Sequence, residues 1–383
     1  MRFIHSSDWH LGQTLSGYDR TQEHQCFLEW LLSQLKTKRI DLLLISGDIF
    51  DVAYPSAASV KLFYNFLSTA KKENPHLSIV VIAGNHDSPA RIAAPSELAE
   101  HLGIHMTGSL DKTSTEPIII GNPKKPVAHI VPIPFLRTSE ESFLKTNAEE
   151  QSLEKSIQSH VKNLLKNTPK NCPTFILSHA YFVGGELSKL SEREIQKGYS
   201  EALSSAAFSD TCTYVALGHL HKAQKVDGKE NIRYSGSPIP LSVPERLNTQ
   251  VVIYGECDEE KLVKTEEVQI PRFRNIWVLP KQKPLFKDLS TELNRELAEY
   301  LKSNEGDNPN NLEPFLQVQV ELEEPEPRLR AQVEEITSKY PVKLVGIEAT
   351  RKNQTKTPAE RTGPRIAVSD IIENVCETHC ETE

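Results

Sequence analysis

The sequence predicts an α/β fold, and three features predict it. Short apolar runs of strand length recur through the first 270 residues, stretches with one apolar helical face lie between them, and the polar motifs fall directly behind the runs. Strands are expected at residues 3–5, 42–45, 79–83, 128–131, 175–177, 214–217, 233–234 and 251–254, each short, apolar and bounded by turn-forming residues. Between the first two, Phe27, Leu28, Leu31, Leu32 and Leu35 recur at helical spacing. Between the next two, Val60, Phe63, Phe66, Leu67 and Ala70 do the same, so each stretch reads as a helix with one face toward a core.

Pro271 and Arg274 bracket an interruption of this rhythm, and a compact unit follows. It is expected as strand 276–279, helix 286–301, strand 316–322, helix 328–339 and strand 342–348. The Asn-, Gly- and Pro-rich residues 304–311 form an irregular connection within it. The chain therefore divides into a large domain at 1–270, a small domain at 271–349, and a polar linker with a terminal segment at 350–383. In that last segment Val368, Ile371, Ile372 and Val375 share a helical face.

With 383 residues, 38% of them hydrophobic and 25% charged, the chain is long enough for a sizeable core and matches no fibrous, disordered or disulfide-framework class. No apolar run approaches the roughly 18 to 20 residues of a membrane span, and the N-terminus enters a strand pattern directly, so a cytoplasmic location is expected. Cys26, Cys172, Cys212 and Cys257 are scattered and Cys376 and Cys380 lie near the end, which suits reduced thiols. The net charge of -8 excludes a general basic coat, so any contact with nucleic acid must be local.

Five short motifs stand immediately behind expected strands: Asp8-Trp9-His10, Gly47-Asp48, Gly84-Asn85-His86-Asp87, Ser178-His179 and Gly218-His219-Leu220-His221. In α/β sheets ligands collect at the carboxyl ends of strands, so motifs spread along the chain can converge on one crevice. Each alone reads as a turn, a helix cap or a structural histidine; together, in strand-end register, they read as a metal site. Asp8, His10, Asp48, Asn85, His179, His219 and His221 are seven oxygen and imidazole donors without a thiolate. Such a set suits manganese, iron or zinc, and its size implies two divalent ions. A two-metal site needs a ligand that reaches both ions, and the two oxygens of Asp48 make it the natural bridge. Two such ions against the carboxylates of Asp8 and Asp48 leave an excess of about two positive charges, which attracts a phosphate.

In order and content these motifs resemble the calcineurin-like metallophosphoesterases. Residues 5–12, 83–88, 132–137, 216–224 and 234–242 narrow the resemblance to the SbcD-type nucleases of DNA repair, the Mre-eleven group. The resemblance implies a β-sandwich flanked by helices, with a smaller α+β capping domain that steers DNA. It also implies one ion on Asp8, His10, Asp48 and His221 and a second on Asp48, Asn85, His179 and His219, most readily Mn2+. His86 would then contact the scissile phosphate, with Asp87 orienting it. The resemblance further implies a homodimer, and a C-terminal segment bound to a coiled-coil ATPase, SbcC, in a heterotetramer. After the helix expected at 368–375 the chain ends where relatives continue into a second helix.

Two rival readings remain at this level. A phosphatase or small-substrate phosphodiesterase would use the same fold, but such enzymes usually read Gly-Asn-His-Glu where this chain has Gly84-Asn85-His86-Asp87. A scaffold that has lost its metals would not keep all seven donors and His86.

Overall fold

The apolar runs pair into two six-stranded sheets. In chain order the strands are β1 (Arg2–Ser6), β2 (Thr14–Leu15), β3 (Tyr18–Asp19), β4 (Leu42–Ser46), β5 (Ser78–Ile82), β6 (Ile104–Thr107), β7 (Ile118–Asn122), β8 (Lys125–Ile133), β9 (Thr174–His179), β10 (Tyr214–Gly218), β11 (Gln224–Lys225), β12 (Ile232–Tyr234), β13 (Val251–Asp258) and β14 (Lys261–Gln269). Helices α1 (Thr21–Thr37), α2 (Ala57–Glu73), α3 (Pro89–Ala93), α4 (Ser96–Glu100) and α5 (Leu153–Leu165) lie between them. The computed structural model describes residues 1–110, 116–122, 124–137, 153–166, 168, 171–182, 203–208, 212–259, 261–303 and 312–351.

One sheet runs β14-β13-β1-β4-β5-β6 and the other β11-β12-β10-β9-β8-β7. Within each, four neighbouring strands are parallel, β1, β4, β5 and β6 in the first and β12, β10, β9 and β8 in the second. Their carboxyl ends therefore lie together at one end of each sheet.

Why the strands read as unbroken apolar runs is clear from their packing. Successive side chains of a strand point to opposite faces, and here both faces are covered. Leu42 and Leu44 of β4 point inward with Phe3, Val80 and Ile82 to meet Phe175, Leu177, Tyr214 and Ala216 of the other sheet. Leu43 and Ile45 point outward, where Phe27, Leu31 and Leu35 of α1 and Phe63, Phe66 and Leu67 of α2 cover them. Helix α5 covers the outer face of the second sheet with Ile157, Val161 and Leu164. The two helices on the first sheet begin as their sequences dictate: Ser56 accepts from the Ser59 amide at the start of α2, and Asp19 accepts from Thr21 at the start of α1.

Strands β2, β3, β6, β7, β11 and β14 add to those expected. β14 was hidden by its composition. Lys261, Lys264, Glu266 and Glu267 lie on an exposed edge strand, where charge protects unpaired backbone from other chains and erases the apolar signal.

The small domain comprises β15 (Ile276–Leu279), α6 (Phe286–Ser303), β16 (Phe315–Leu322), α7 (Leu329–Thr337) and β17 (Lys343–Arg351). Its sheet runs β15-β16-β17 and is parallel throughout, since a helix connects each strand to the next. One boundary shifts: a linker was expected from residue 350, but Thr350 and Arg351 pair with Glu321 and Leu322 and extend β17. Polar, solvent-facing residues at a strand end carry no alternation to reveal this. The irregular connection at 304–311, the rest of the linker and the helix expected at 368–375 lie outside the described residues. Leu15, Ile276, Phe315 and Val345 form an apolar cluster shared by the two domains.

Among the described residues Cys26, Cys172, Cys212 and Cys257 are free thiols, and no helix is long and apolar enough to cross a membrane.

Phe175 sits between the sheets, fully buried, with its ring 5.1 Å from that of Phe3 in an edge-to-face contact. Phe175→Ala should lower the free energy of unfolding by about 3–5 kcal/mol in a urea titration. A loss under about 1 kcal/mol would mean that this layer does not hold the sheets together.

Candidate metal centre

Three of the five predicted motifs, those after β1, β4 and β10, turn the chain sharply at the end of the strand. Asp8 (φ 53°), His10 (φ 46°), Asp48 (φ 49°) and His219 (φ 104°) all adopt positive φ, a conformation that costs a residue other than glycine on the order of 1–3 kcal/mol. The surroundings enforce it. The amides of Asp8, His10 and Leu11 donate to the carbonyls of Gly47, Asp48 and Ile49 at 3.0, 3.0 and 2.9 Å, lacing the β1 and β4 loops together. Trp9, between two predicted ligands, turns the other way. Its indole is buried edge-on against Phe27, Phe63 and Phe66 and donates to Ser6 Oγ at 2.8 Å. Apolar burial of one side chain thereby orients its two polar neighbours.

Close approach explains the glycines. A Cβ on Gly84 would stand 2.1 Å from Asp48 Oδ1, and one on Gly218 would stand 1.9 Å from the Ser46 carbonyl oxygen. Only glycine lets these loops meet.

The structure brings all seven predicted ligands to one place. Ligand atoms of Asp8, His10 and His221 lie within 4.8 Å of one another, as do those of Asp8, Asp48 and His179. Asp48 Oδ2 is 3.6 Å from His10 Nε2 and 3.4 Å from His179 Nε2, so one carboxylate faces both groups. Asn85 Oδ1 lies 3.0 Å from His179 Nε2 and 3.0 Å from His219 Nδ1. The Nε2 of His10 is buried without a hydrogen-bond partner, as expected of an atom meant for a cation. Two buried carboxylates, an amide oxygen and four imidazoles facing inward make a donor set that fits divalent metal ions.

Further contacts set the ligands' orientations. His179 donates from Nδ1 to the Ser46 carbonyl at 2.8 Å, which leaves Nε2 for a metal. His221 Nδ1 meets Glu245 Oε1 at 3.2 Å, and His10 Nδ1 meets Asp51 Oδ1 at 3.2 Å. Asp8 accepts from Ser7 Oγ at 2.5 Å and from the His219 amide at 2.9 Å. Asp51, Glu245 and Ser7 were not among the predicted site residues. Asp51 stands three residues after Asp48 in Gly47-Asp48-Ile49-Phe50-Asp51, and that second carboxylate behind β4 was the available signal. Glu245 was concealed because Ser242-Val243-Pro244-Glu245 reads as an ordinary helix-capping sequence, and its carboxylate does accept from Ser242 Oγ.

His86 is half-buried beside these groups. Its amide donates to Asp48 Oδ1 at 2.8 Å and its Nδ1 donates to the Asp51 carbonyl at 2.7 Å. Asp87 acts on His86 through the backbone. Its carboxylate accepts from the amides of Gly84, Ile49 and Phe50 at 2.8, 3.1 and 3.0 Å, so it locks the loop that carries His86 and leaves the ring to Asp51. Arg137 bonds the Asp87 carbonyl at 3.0 Å and lies over Phe135, whose ring stacks near His219. His5, to which no role was assigned, is structural: its Nε2 donates to Leu217 O and its Nδ1 accepts from Tyr214.

Burial and mutual charge shape the titrations. Burial and then the charge of Asp48 push Asp87 up to about 6. Burial is the largest influence on Asp48 and acts against its ionised form, but the charges of His179, His10 and His86 and the hydrogen bond from His179 together outweigh it and hold this carboxyl below the usual range. The reverse holds for His179, where burial is outweighed by the charges of Asp48 and Asp8 together with the hydrogen bonds to Asp48 and the Ser46 carbonyl, and the imidazole is raised to about 9. His219, buried and facing the cationic His179, is lowered to about 3.

A family model described as calcineurin-like phosphoesterase matches residues 1–223, and one described as type 5 capsule protein repressor C-terminal domain matches residues 283–379. Three curated relatives are named as the SbcD component of the nuclease SbcCD. That of Rhodobacter capsulatus is 31% identical over 376 residues, which cover 94% of this chain and 89% of that one. That of Escherichia coli K12 is 31% identical over 282 residues, 71% of this chain and 68% of that one. That of Bacillus subtilis is 34% identical over 254 residues, 64% and 63% respectively.

With its pKa raised to about 9, His179 carries a proton in the metal-free protein at neutral pH and must lose it to become a ligand. Mn2+ uptake at pH 7.5 should release about one proton per chain, and affinity should rise with pH toward 9. Calorimetric titration in two buffers of different ionisation enthalpy measures the release; heats that do not depend on the buffer would refute it.

Proposed function

The chain belongs to the calcineurin-like phosphoesterase family, and from that premise we propose that it is an SbcD-like nuclease, a metal-dependent phosphodiesterase acting on DNA. The observation that carries the reading is the convergence of seven donors and His86 on Asp48 at the carboxyl ends of five strands. Its extension to DNA is supported by relatives named as nuclease components over most of the chain.

Two ions are assigned, most readily Mn2+, one on Asp8, His10, Asp48 and His221 and the other on Asp48, Asn85, His179 and His219. Bound there, they would supply positive charge to the phosphate and Lewis-acid activation of water. Asp48 would serve both ions through Oδ2, which faces His10 of one ligand set and His179 of the other, while Oδ1 accepts from the His86 amide. Ser46, Asp51 and Glu245 hold ring nitrogens of His179, His10 and His221, so these ligands need little reorganisation when metal binds. His86 is tethered at Nδ1, which leaves Nε2 to donate to the scissile phosphate or to protonate the leaving 3′ oxygen. Asp87 keeps the His86 loop against residues 49 and 50, so the imidazole returns to one position after each turnover.

The activities assigned are a 3′ to 5′ exonuclease on duplex DNA and an endonuclease on single strands and hairpins, in DNA repair, replication and recombination. The small domain at 271–351 would cap the site and steer DNA. The terminal segment would bind the coiled-coil ATPase SbcC in a heterotetramer of two copies of each chain, in the cytoplasm where bacterial DNA resides. A homodimer is supported by exposed apolar side chains gathered around α2 and α4. Leu98 is 74% exposed and Leu102 57%, beside Tyr64, and Val52 and Tyr54 stand on the loop leading into α2.

Three measurements test this reading. His86→Ala should keep metal binding while cutting Mn2+-dependent release of nucleotides from duplex DNA by at least about 100-fold; an undiminished rate would remove His86 from the mechanism. The unaltered chain should degrade DNA in preference to a generic aryl phosphate, and turnover of the aryl phosphate alone would favour a phosphatase. Leu98→Glu combined with Leu102→Glu should convert a dimer to a monomer in sedimentation experiments, and an unchanged mass would place the dimer elsewhere.

A further inference from the structure

Arg20, just before α1, is fully buried, and a buried guanidinium demands a full set of partners. Its Nε and Nη2 bond the two oxygens of Glu23 at 3.1 and 2.5 Å. Its Nη1 donates to the carbonyl of Pro240 at 2.5 Å and to Gln13 Oε1 at 3.0 Å. Gln13 stands at the root of the His10 loop, and Pro240 lies in the segment that carries Glu245, the partner of His221. The Gln13 amide donates to the His10 carbonyl at 2.9 Å, and the Gln13 side chain donates to the Leu241 carbonyl at 3.0 Å. The Leu241 amide donates to Glu245 Oε2 at 2.8 Å, while Oε1 of that carboxylate meets His221 Nδ1. His10 and His221 are thus both tied back to one guanidinium.

The other side of the cluster faces the small domain. Glu23 forms a second ion pair, at 2.9 Å, with Arg274 in the segment that joins the domains. Arg274 donates to the Glu313 carbonyl at 2.8 Å, just before β16. Both guanidiniums lie against Phe315, the buried first residue of β16, at 4.5 Å for Arg274 and 5.7 Å for Arg20. Buried ion pairs stabilise poorly compared with apolar residues of equal volume, because desolvation offsets their attraction. What the Arg20 bonds impose is direction, since each of its donors points at an acceptor, whereas Arg274 Nε meets Glu23 as a charge pair without a hydrogen bond.

The geometry points to Arg20 as a positioning residue for the ion held by Asp8, His10 and His221, with Glu23, Arg274 and Phe315 joining the seat of the small domain to the same device. It follows that loosening the small domain weakens one ion and spares the other. The ligands of that second ion, Asn85, His179 and His219, bond to one another, to Ser46 and to Asp8, and among the described residues to neither Arg20 nor Gln13. This inference rests on the two-ion reading given under Proposed function.

Replacing Arg20 or Glu23 risks unfolding, so the informative variants of the full chain are Arg274→Gln and Gln13→Ala, with Arg295→Gln on the exposed face of α6 as control. Metal-free protein is titrated with Mn2+ by calorimetry, and thermal melting is followed in parallel. The wild type and the control should take up two equivalents. In each of the two variants one equivalent should weaken on the order of tenfold and the other should not change. Unchanged affinities in both variants would overturn the inference, as would equal weakening of both equivalents with a lowered melting temperature, which marks a merely structural role. A wild type that takes up fewer than two equivalents would instead sink the two-ion reading itself.

Discussion

The carboxylate of Asp48, buried where the two sheets meet, is the group around which the site is arranged. One oxygen accepts the amide of His86 and the other faces imidazoles from β9 and from the loop after β1. An ionised carboxylate in that position is costly unless positive charge surrounds it. Without metal the protein meets the requirement by keeping a proton on His179; with metal, cations take over the role. The glycines follow from the same demand, since a side chain at position 84 would occupy the space of the Asp48 oxygen.

Rigidity around this carboxylate comes from apolar packing. The left-handed turns at Asp8, His10, Asp48 and His219 are individually unfavourable and persist because the elements behind them are over-determined. Trp9 illustrates the trade. Burial of its indole among three phenylalanines of α1 and α2 is worth a few kcal/mol, comparable to the strain in the two residues beside it. Helix packing on the outer face of a sheet is thus converted into the direction of a ligand at its end.

The charge distribution fits a chain that handles a polyanion only at one place. A net charge of -8 repels DNA in general, and ions held by two carboxylates and neutral donors would create a local positive site. The small domain adds a second constraint, for its central strand begins at Phe315, against the buried cluster that also anchors the His10 and His221 loops. Placement of the small domain and the shape of the candidate metal centre are parts of one packing arrangement.

The sequence by itself determined the α/β alternation, and its short motifs carry the seven donor-type residues and His86 that the fold brings together. These are readable because the periodicity of a buried strand and the identity of a ligand are carried by neighbours in the chain. Only the tertiary structure decided what holds the ligands. The contacts of His10 with Asp51, of His221 with Glu245 and of Arg20 with Pro240 span 41, 24 and 220 residues, and nothing local marks them. Asp87 shows the same limit from the other side. The resemblance implied only that it orients His86; the fold shows how it is held, its carboxylate meeting three amides, two of them in the loop after β4. Strand topology sets which loops meet, and that information exists only once the sheets have assembled.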